Sequence, residues 1–366
     1  MSLAVVFVHY HAARWLAGAV ASLRADLERH GLDAEIVVVD NGSRPDERDV
    51  LLGLPVSYLD AGGNRGYAGA LNLGVGQTKA DYLFLLNPDV EVLPGCCSAL
   101  LDALESGAAA AGPRLYWDRA QRLLLPPVET HTRRSECLRT CAPWHPGLTR
   151  LARRTWRRHA HSHWAASEPL TSWALSGAFL AIRRDAWARI GPFDEGFRLY
   201  FEETDWLERA RRQGLRSCLV PAARAVHFYN QSAMREPTAG AWFAESSRRF
   251  ERRYYGPWFL RAKEIIGAWR PTAPPLAPGP HDHALEVDLG PPARSARRAA
   301  WVEISPSPLG FPAAAERLRD PTSQRWTLPA DVWSHLAAGV YGARVMDARG
   351  RELSWCSFTR GSNDGR

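Results

Sequence analysis

Between residues 3 and 86 the chain alternates short apolar runs with helical patterns, and this alternation restricts the fold more than any other feature. Residues 3–8 (LAVVFV) form a continuous apolar strand. Leu16, Val20, Leu23 and Leu27 then recur at spacings of three and four, and Gly31 stands where a helix should stop. Residues 34–43 (AEIVVVDNGS) give a second buried strand running into a turn, and a shorter strand follows at about 56–60. A Gly-rich loop, AGGNRGYAGALN, leads into a helix through Leu71 and Val75, and YLFLL then runs into Asn87-Pro88-Asp89. Strands that are apolar on both faces and separated by helices build a parallel sheet. Open sheets of this kind bind ligands beyond the carboxyl ends of their strands. The polar residues at those ends are His9-Tyr10, Asp40-Asn41, Asn64-Arg65 and Asn87-Pro88-Asp89, which should converge on one crevice.

The rest of the chain changes character several times. Residues 117–170 are basic, rich in Trp and His and weakly periodic; they read as an insert. Within it, Arg150, Arg153, Arg154, Arg157 and Arg158 are spaced as on a helix, with Leu148, Leu151, Thr155 and Trp156 as a partly apolar side. That pattern suits a basic helix on an anionic membrane or acceptor, and equally a solvated charged face. His159, His161 and His163 alternate as they would on one face of an extended chain. Order returns at about 173, with a strand, a helix through Trp187 and Ile190, a helix closed by Gly214, and two short strands around Pro221. Residues 239–269 read as an amphipathic helical extension. The segment 271–280 holds five prolines in ten residues, a stiff linker. Short alternating runs beyond it, with a turn at 347–350, predict an antiparallel β-sandwich at 281–366. Its Trp301, Trp326, Trp333 and Trp355 fit a core, or a surface for stacking on sugars. The expected division is therefore an α/β domain over 1–270, a linker and a small accessory domain.

Bulk properties agree with a globular protein: 46% of residues are apolar and 23% charged. The formal net charge is +7, but the cations are almost all arginine, with Lys79 and Lys263 the only lysines. No nucleic-acid partner is expected from it. The six cysteines do not form a Cys-x-x-Cys clip and fit reduced cytosolic thiols. The N-terminus lacks a basic n-region, and no run approaches the roughly 18–20 apolar residues of a membrane span. A cytoplasmic protein is expected, with peripheral contact to the inner membrane face as an extension of the basic-helix reading. His9-Tyr10-His11 follows the first strand where a dinucleotide enzyme would carry Gly-x-Gly-x-x-Gly, which disfavours an NAD-dependent dehydrogenase.

The ordered set VVVDNGS, NRGYAGALNLG, LLNPDVEV, SGAFLAIRRDAWARIGPFDEGFRLYFEETDW and VHF resembles glycosyltransferase family 2, in its bacterial rhamnosyltransferase-like branch, over about residues 3–230. The resemblance implies a GT-A fold, Rossmann-like with a mostly parallel sheet. It implies inverting transfer of a sugar from a nucleotide-diphosphate donor, such as dTDP-rhamnose, with Mg2+ or Mn2+. The acceptor implied is a saccharide or lipid-linked saccharide of surface polysaccharide synthesis.

The same resemblance carries roles onto residues. Tyr10, Asp40, Asn64, Gly66, Gly69, Asn87 and Gly177 fall on donor-binding positions, Asp40 as reader of the base. Asp40 alone would also suit a turn-starting Asx residue. Asp89 and His227 fall on the metal, where hard oxygen ligands bridge to phosphates. Asn87 stands where a second carboxylate is usual and offers only a neutral amide oxygen. Glu203 falls on the base that deprotonates the acceptor hydroxyl, where Asp is more usual, and Glu202 precedes it. Adjacent helical residues point about 100° apart, so the two face the acceptor differently, and like charge should raise the pKa of the base. Trp173 and Asp205 are acceptor-side candidates, Asp205 also being spaced to pair with Arg209. Two rivals stay open: a nucleotidyltransferase with a similar crevice, and a sugar-binding protein whose altered motifs no longer catalyse.

Overall fold

The computed structural model describes residues 2–228, 238–269, 271, 275–277, 286–288, 299–319, 325–347 and 350–361. In chain order the first elements are Leu3–His9 (β1), Ala13–Arg29 (α1), Ala34–Asp40 (β2), Pro45–Leu52 (α2), Ser57–Asp60 (β3), Gly66–Gly76 (α3) and Tyr82–Leu86 (β4). Val90–Val92 (β5), Cys96–Glu105 (α4), Ala110–Tyr116 (β6), Leu123–Leu124 (β7), Arg133–Cys141 (α5) and Pro146–Trp164 (α6) follow. Then come Leu170–Thr171 (β8), Phe179–Arg183 (β9), Arg184–Ile190 (α7), Glu202–Arg212 (α8), Ser217–His227 (β10), Ala239–Tyr255 (α9) and Pro257–Ala268 (α10). The last are Glu286–Asp288 (β11), Ala299–Ser305 (β12), Ala314–Arg317 (β13), Arg325–Thr327 (β14), Ala330–His335 (α11), Gly339–Asp347 (β15) and Glu352–Arg360 (β16).

Two compact units result: Met1–Leu115 with Ala165–Leu260, and Tyr116–Trp164 with Arg261–Arg366. This division differs from the expected one. The basic insert groups with the C-terminal strands rather than with the chain that flanks it. Most of the expected Pro-rich linker, and residues 348–349 of the expected turn, lie outside the described residues.

In the first unit β3, β2, β1 and β4 are parallel neighbours, and β9 and β6 continue the sheet antiparallel. Alternation along β1 explains why each strand is apolar throughout. Val5 and Phe7 face a core built with Leu16, Val20 and Leu23 of α1 and Leu100 of α4. Val6 and Val8 face the opposite core, with Leu71 and Val75 of α3, Trp187 of α7 and Trp206 of α8. Burying both faces leaves the strand ends as the outlets for polar chemistry. The register sets His9, Asp40 and Asp60 side by side, and Asn87 follows the Phe7–Leu86 pair. The two short strands expected around Pro221 are one strand, β10, which pairs with β8 near one end and β5 near the other.

The second unit carries the expected antiparallel sheet, in the order β7-β13-β12-β15-β16. On one face Val302, Ile304, Val345 and Phe358 pack with Val287 and Trp326 of the β11–β14 ladder and Trp333 of α11. On the other, Trp301 and Met346 pack against Ala152, Trp156, Ala160 and Trp164 of α6. The expected basic helix is real, but its apolar side is this packed face and Leu151 is exposed. Arg157 is buried against Glu303, and Arg153 donates to the Leu309 carbonyl. The histidines lie on the helix rather than on an extended chain: His159 and His163 are one turn apart, with ring centroids at 4.3 Å. Trp301, Trp326 and Trp333 are core; Trp355 is exposed. All six cysteines are free thiols.

Candidate active site

Asn87-Pro88-Asp89 forms the corner between β4 and β5, closed by a bond from the Val90 N–H to the Asn87 carbonyl. Proline fixes φ there and removes a donor, so a strand that pairs on both sides stops abruptly. Asp89 is buried, and its Oδ1 lies 3.3 Å from Nε2 of His227 at the end of β10. The antiparallel pairing of His227 with Val90 brings these two residues together from distant parts of the chain. Asn87 is differently engaged: its amide oxygen accepts from the Tyr67 hydroxyl at 2.6 Å. That hydroxyl is also 3.2 Å from the Gly177 carbonyl oxygen.

Tyr67 ties the crevice together. Burial, and then the nearby charges of Glu202, Glu203 and Asp89, push its hydroxyl well above the usual tyrosine range. One phenol thus reports all three carboxylates. Gly177 makes the close approach on the other side: a Cβ there would sit 3.3 Å from the Cγ and Cδ of Glu203. Any side chain at 177 would press on Glu203.

Glu202 and Glu203 open α8, where carboxylates are favoured by the helix N-terminus. The two preceding residues reach it through the left-handed region, Tyr200 at φ 67° and Phe201 at φ 69°. Such conformations cost about 1–3 kcal/mol each and persist where the surroundings impose them. The Phe201 ring, centred 5.5 Å from both Phe243 and Phe250, is held by α9. Glu202 is buried, with Oε2 lacking a hydrogen-bond partner. Burial, then the charge of Glu203, raises its pKa well above the usual carboxylate range. A carboxyl so buried beside a second carboxylate favours its protonated form.

The donor-side candidates cluster at the ends of β1 and β2. Asp40 Oδ1 accepts from the Ser43 and Gly42 N–H groups, and Oδ2 from the hydroxyls of Ser43 and Tyr58. Burial raises its pKa, but these bonds outweigh it and hold the carboxyl below its usual value. Asp40 therefore does fulfil the Asx-turn reading. Asn64 accepts from the Gly66 N–H, and Asn41, which sequence reasoning left unassigned, bonds both the Gly66 carbonyl and the Arg65 N–H. Gly66 has φ 74°, and a Cβ on it would meet the Arg198 carbonyl oxygen at 2.7 Å. Gly69 lies against Arg65 and Glu195. These glycines thus serve contacts within the protein. Tyr10 is half-buried, its ring 4.3 Å from that of His11.

Two further histidines belong to this end. His11 Nδ1 is 2.9 Å from Oε2 of Glu47, and buried His9 is 4.0 Å from the same oxygen. Burial lowers the His9 pKa, opposed by Glu47 and Asp40. Only the sequence position of His9-Tyr10-His11 signalled them; Glu47 sits on α2 and carried no signal.

The acceptor-side candidates are placed otherwise. Asp205 is fully buried and takes Arg209 on Oδ2 and Arg253 and Tyr254 on Oδ1. It is a fastening between α8 and α9, and this satisfied set corrects its reading as an acceptor contact. Trp173 is 42% exposed and stacks with Arg211 at the far end of α8, eight residues from Glu203 and so about 12 Å along the axis.

The family model described as Glycosyl transferase family 2 matches residues 4–191. The chain belongs to glycosyltransferase family 2. The first unit, with its mostly parallel sheet, is the family's GT-A domain. This family 2 chain is 29% identical over 260 residues to the N-acetylglucosaminyl-diphospho-decaprenol L-rhamnosyltransferase of Mycobacterium tuberculosis, covering 65% of this chain and 79% of that one. It is 27% identical over 201 residues to a low-salt glycan biosynthesis hexosyltransferase of Haloferax volcanii, covering 53% of this chain and 59% of that one. The rhamnosyltransferase-like resemblance is thus upheld. Among solved structures, the mannosyltransferase of Pyrobaculum calidifontis in complex with GDP-Man and Mn2+ aligns at 14% identity and a TM-score of 0.41, covering 72% of this chain and 73% of that one. GalNAc-T7 with UDP, GalNAc and Mn2+ aligns at 17% and 0.46, covering 72% and 55%. Both likenesses are loose.

Proposed function

We propose that this family 2 glycosyltransferase moves a sugar, with L-rhamnose first among candidates, from a nucleotide diphosphate to a hydroxyl of a lipid-linked saccharide, inverting the anomeric centre. The single observation that carries the reading is the Tyr67 junction: one buried phenol bonded to Asn87 and Gly177 within the field of Asp89, Glu202 and Glu203. It supports a reading in which a phosphate-side corner and a base-side carboxylate flank one crevice. The mycobacterial relative is named for L-rhamnosyl transfer to a diphospho-decaprenol-linked sugar, which supports the sugar and acceptor class proposed.

The residues fit a divalent ion. Asp89 offers a hard carboxylate and His227 an imidazole 3.3 Å from it. Among the described residues no group of three or more His, Cys, Asp or Glu could cage a metal by itself. That is the donor set expected of Mg2+ or Mn2+ held by one or two protein ligands plus phosphate oxygens and water. Asn87 Oδ1 already accepts from Tyr67 and keeps one lone pair for a further contact. When bound, the ion would neutralise charge on the departing diphosphate.

Glu203 accepts the proton of the acceptor hydroxyl as that oxygen attacks the anomeric carbon opposite the diphosphate. Glu202, buried beside it, favours its protonated form and so adds no second charge there. Tyr67 fixes the Asn87 side chain through its hydrogen bond. Asp40, Tyr10 and the 64–69 loop form the nucleoside end, with Asp40 fixing the turn that lines it.

The test is a thermal-shift screen of nucleotide sugars with and without Mn2+ or Mg2+, repeated on Asp89→Ala. Metal-dependent stabilisation by a nucleotide sugar, lost in the variant, is expected. Stabilisation by no nucleotide sugar, or an identical response from Asp89→Ala, would overturn the reading. Turnover of a nucleoside triphosphate with release of pyrophosphate would favour a nucleotidyltransferase instead.

A further inference from the structure

Helix α10 is turned the wrong way for a helix of a water-soluble surface. In its sequence, PWFLRAKEIIGA followed by Trp269, the residues Trp258, Ala262, Ile265 and Trp269 recur at spacings of four, three and four. That spacing places them on one stripe. In a globular protein such a stripe faces the core. Here Trp258 is 81% exposed, Trp269 77% and Ile265 56%, with Ile266 beside them at 40%. No residue of α10 is buried.

The polar side shows that this orientation is fixed. Lys263 points inward and sets its Nζ 2.9 Å from Oε2 of Glu136 on α5. Glu136 is 3% exposed; burial opposes its charge, but His131, Arg139 and Lys263 outweigh it and hold the carboxyl well below its usual range. Turning the helix to hide its tryptophans would strand that carboxylate without one of its cations. The helix is anchored by its charge and presents its apolar face.

What surrounds the stripe selects the occupant. The stripe contains no charged residue. Exposed Arg261 flanks it within the helix. Tryptophans stand at the two ends of the stripe, about 16 Å apart. Indole rings favour the boundary between headgroups and acyl chains, and flanking arginines favour anionic headgroups. No helix among the described residues is long and apolar enough to cross a membrane, so the stripe would lie in the interface plane.

We infer that α10 docks the protein on an anionic lipid surface through the Trp258–Ala262–Ile265–Trp269 stripe. The inference goes beyond the proposed transfer and uses neither Asp89 nor Glu203. It also moves membrane contact away from α6, whose apolar face is spent on Trp301 and Met346.

The experiment is sedimentation of the full chain with vesicles of phosphatidylcholine, and of phosphatidylcholine with phosphatidylglycerol. Wild type should bind the anionic vesicles and release them as salt rises. Trp258→Ser/Trp269→Ser should bind at least about tenfold more weakly, and Ile265→Glu likewise. Trp355→Ser, which removes an exposed indole elsewhere, should bind as wild type. Thermal unfolding checks that the α10 variants remain folded, which their exposure favours. Failure of wild type to bind, equal binding by the α10 variants, or equal binding to both vesicle types would overturn the inference. So would light scattering that shows a wild-type dimer, made monomeric by Trp258→Ser/Trp269→Ser, with no lipid binding. A failed nucleotide-sugar screen would leave this result untouched.

Discussion

Two glutamates are buried to nearly the same depth and meet opposite fates. Glu303, on β12, is 1% exposed and faces the Arg157 guanidinium, with His161 at 3.8 Å. Burial alone would raise its pKa, but His161 and Arg157 outweigh that and hold it ionised. Glu202, on α8, is 4% exposed and faces Glu203. Burial and like charge there act in the same direction. The difference separates a carboxylate that holds a unit together from one kept at a cost. Evolution of a stable fold alone would replace Glu202; a reaction needing a carboxylate pair gives a reason to retain it.

The sharpest break of the comparison is on the base itself. Glu203→Gln should lower transfer by about 10²–10⁴-fold, the usual worth of a positioned base. Nucleotide-sugar binding by thermal shift should be unchanged. Transfer at the wild-type rate would remove Glu203 from the role.

Next comes the ion pair. Arg157→Met removes the guanidinium 2.9 Å from buried Glu303, leaving the Arg153 and Arg344 charges as weaker compensation, and should cost about 3–5 kcal/mol in denaturant unfolding. The double variant Arg157→Met/Glu303→Leu should recover most of that loss, because an apolar pair of similar volume suits the same interior. If the double variant is as unstable as the single one, the pair contributes more than charge compensation.

A smaller effect is expected three residues along α8. Asp205→Ala removes the acceptor for Arg209, Arg253 and Tyr254 and should cost about 1–3 kcal/mol. Arg253 and Tyr254 keep other contacts: Arg253 also binds Asp194, whose carboxyl is lowered to about 2, burial being outweighed by Arg249, the Gly196 N–H and Arg253. A loss of transfer beyond what the loss of folded protein explains would return Asp205 to the acceptor side.

The contrast also shows what a sequence discloses. The β-strand ends were legible, because strands buried on both faces leave their polar residues only at the termini. Asn87-Pro88-Asp89 was legible for that reason, and the helix-opening Glu202-Glu203 only through the family resemblance. The partnership of Asp89 with His227 needed the register of β10 on β5, which no local pattern encodes. Tyr67 stood inside a quoted motif, yet its role depends on Asn87 and Gly177 meeting across the crevice. The grouping of the insert with the C-terminal strands was hidden for a similar reason. Arg157 on a basic helix looks like every other arginine until Glu303 arrives from far along the chain. Asp205 misled because a carboxylate two residues from a base carries no mark of which way it points.

The smallest expected effect tests the comparison most directly. Glu202→Gln removes a carboxyl whose pKa is raised in the fold above its ordinary 4.5. Below pH 4.5 the wild-type carboxyl is protonated both folded and unfolded, so wild type and variant should differ little from this source. As pH rises past 4.5, the unfolded chain releases the proton while the fold retains it. The fold then binds more protons, and wild-type stability from this group falls toward the folded pKa. Glutamine cannot follow, so the variant should gain on wild type near neutral pH, while transfer weakens. Unfolding curves of both proteins at pH 4.5 and 7.5 measure the gap, and taking the difference removes groups common to both. A gap that widens with pH identifies Glu202 as the proton-holding member. An unchanged gap would mean that Glu202 does not retain its proton in the fold, and would remove it from that role.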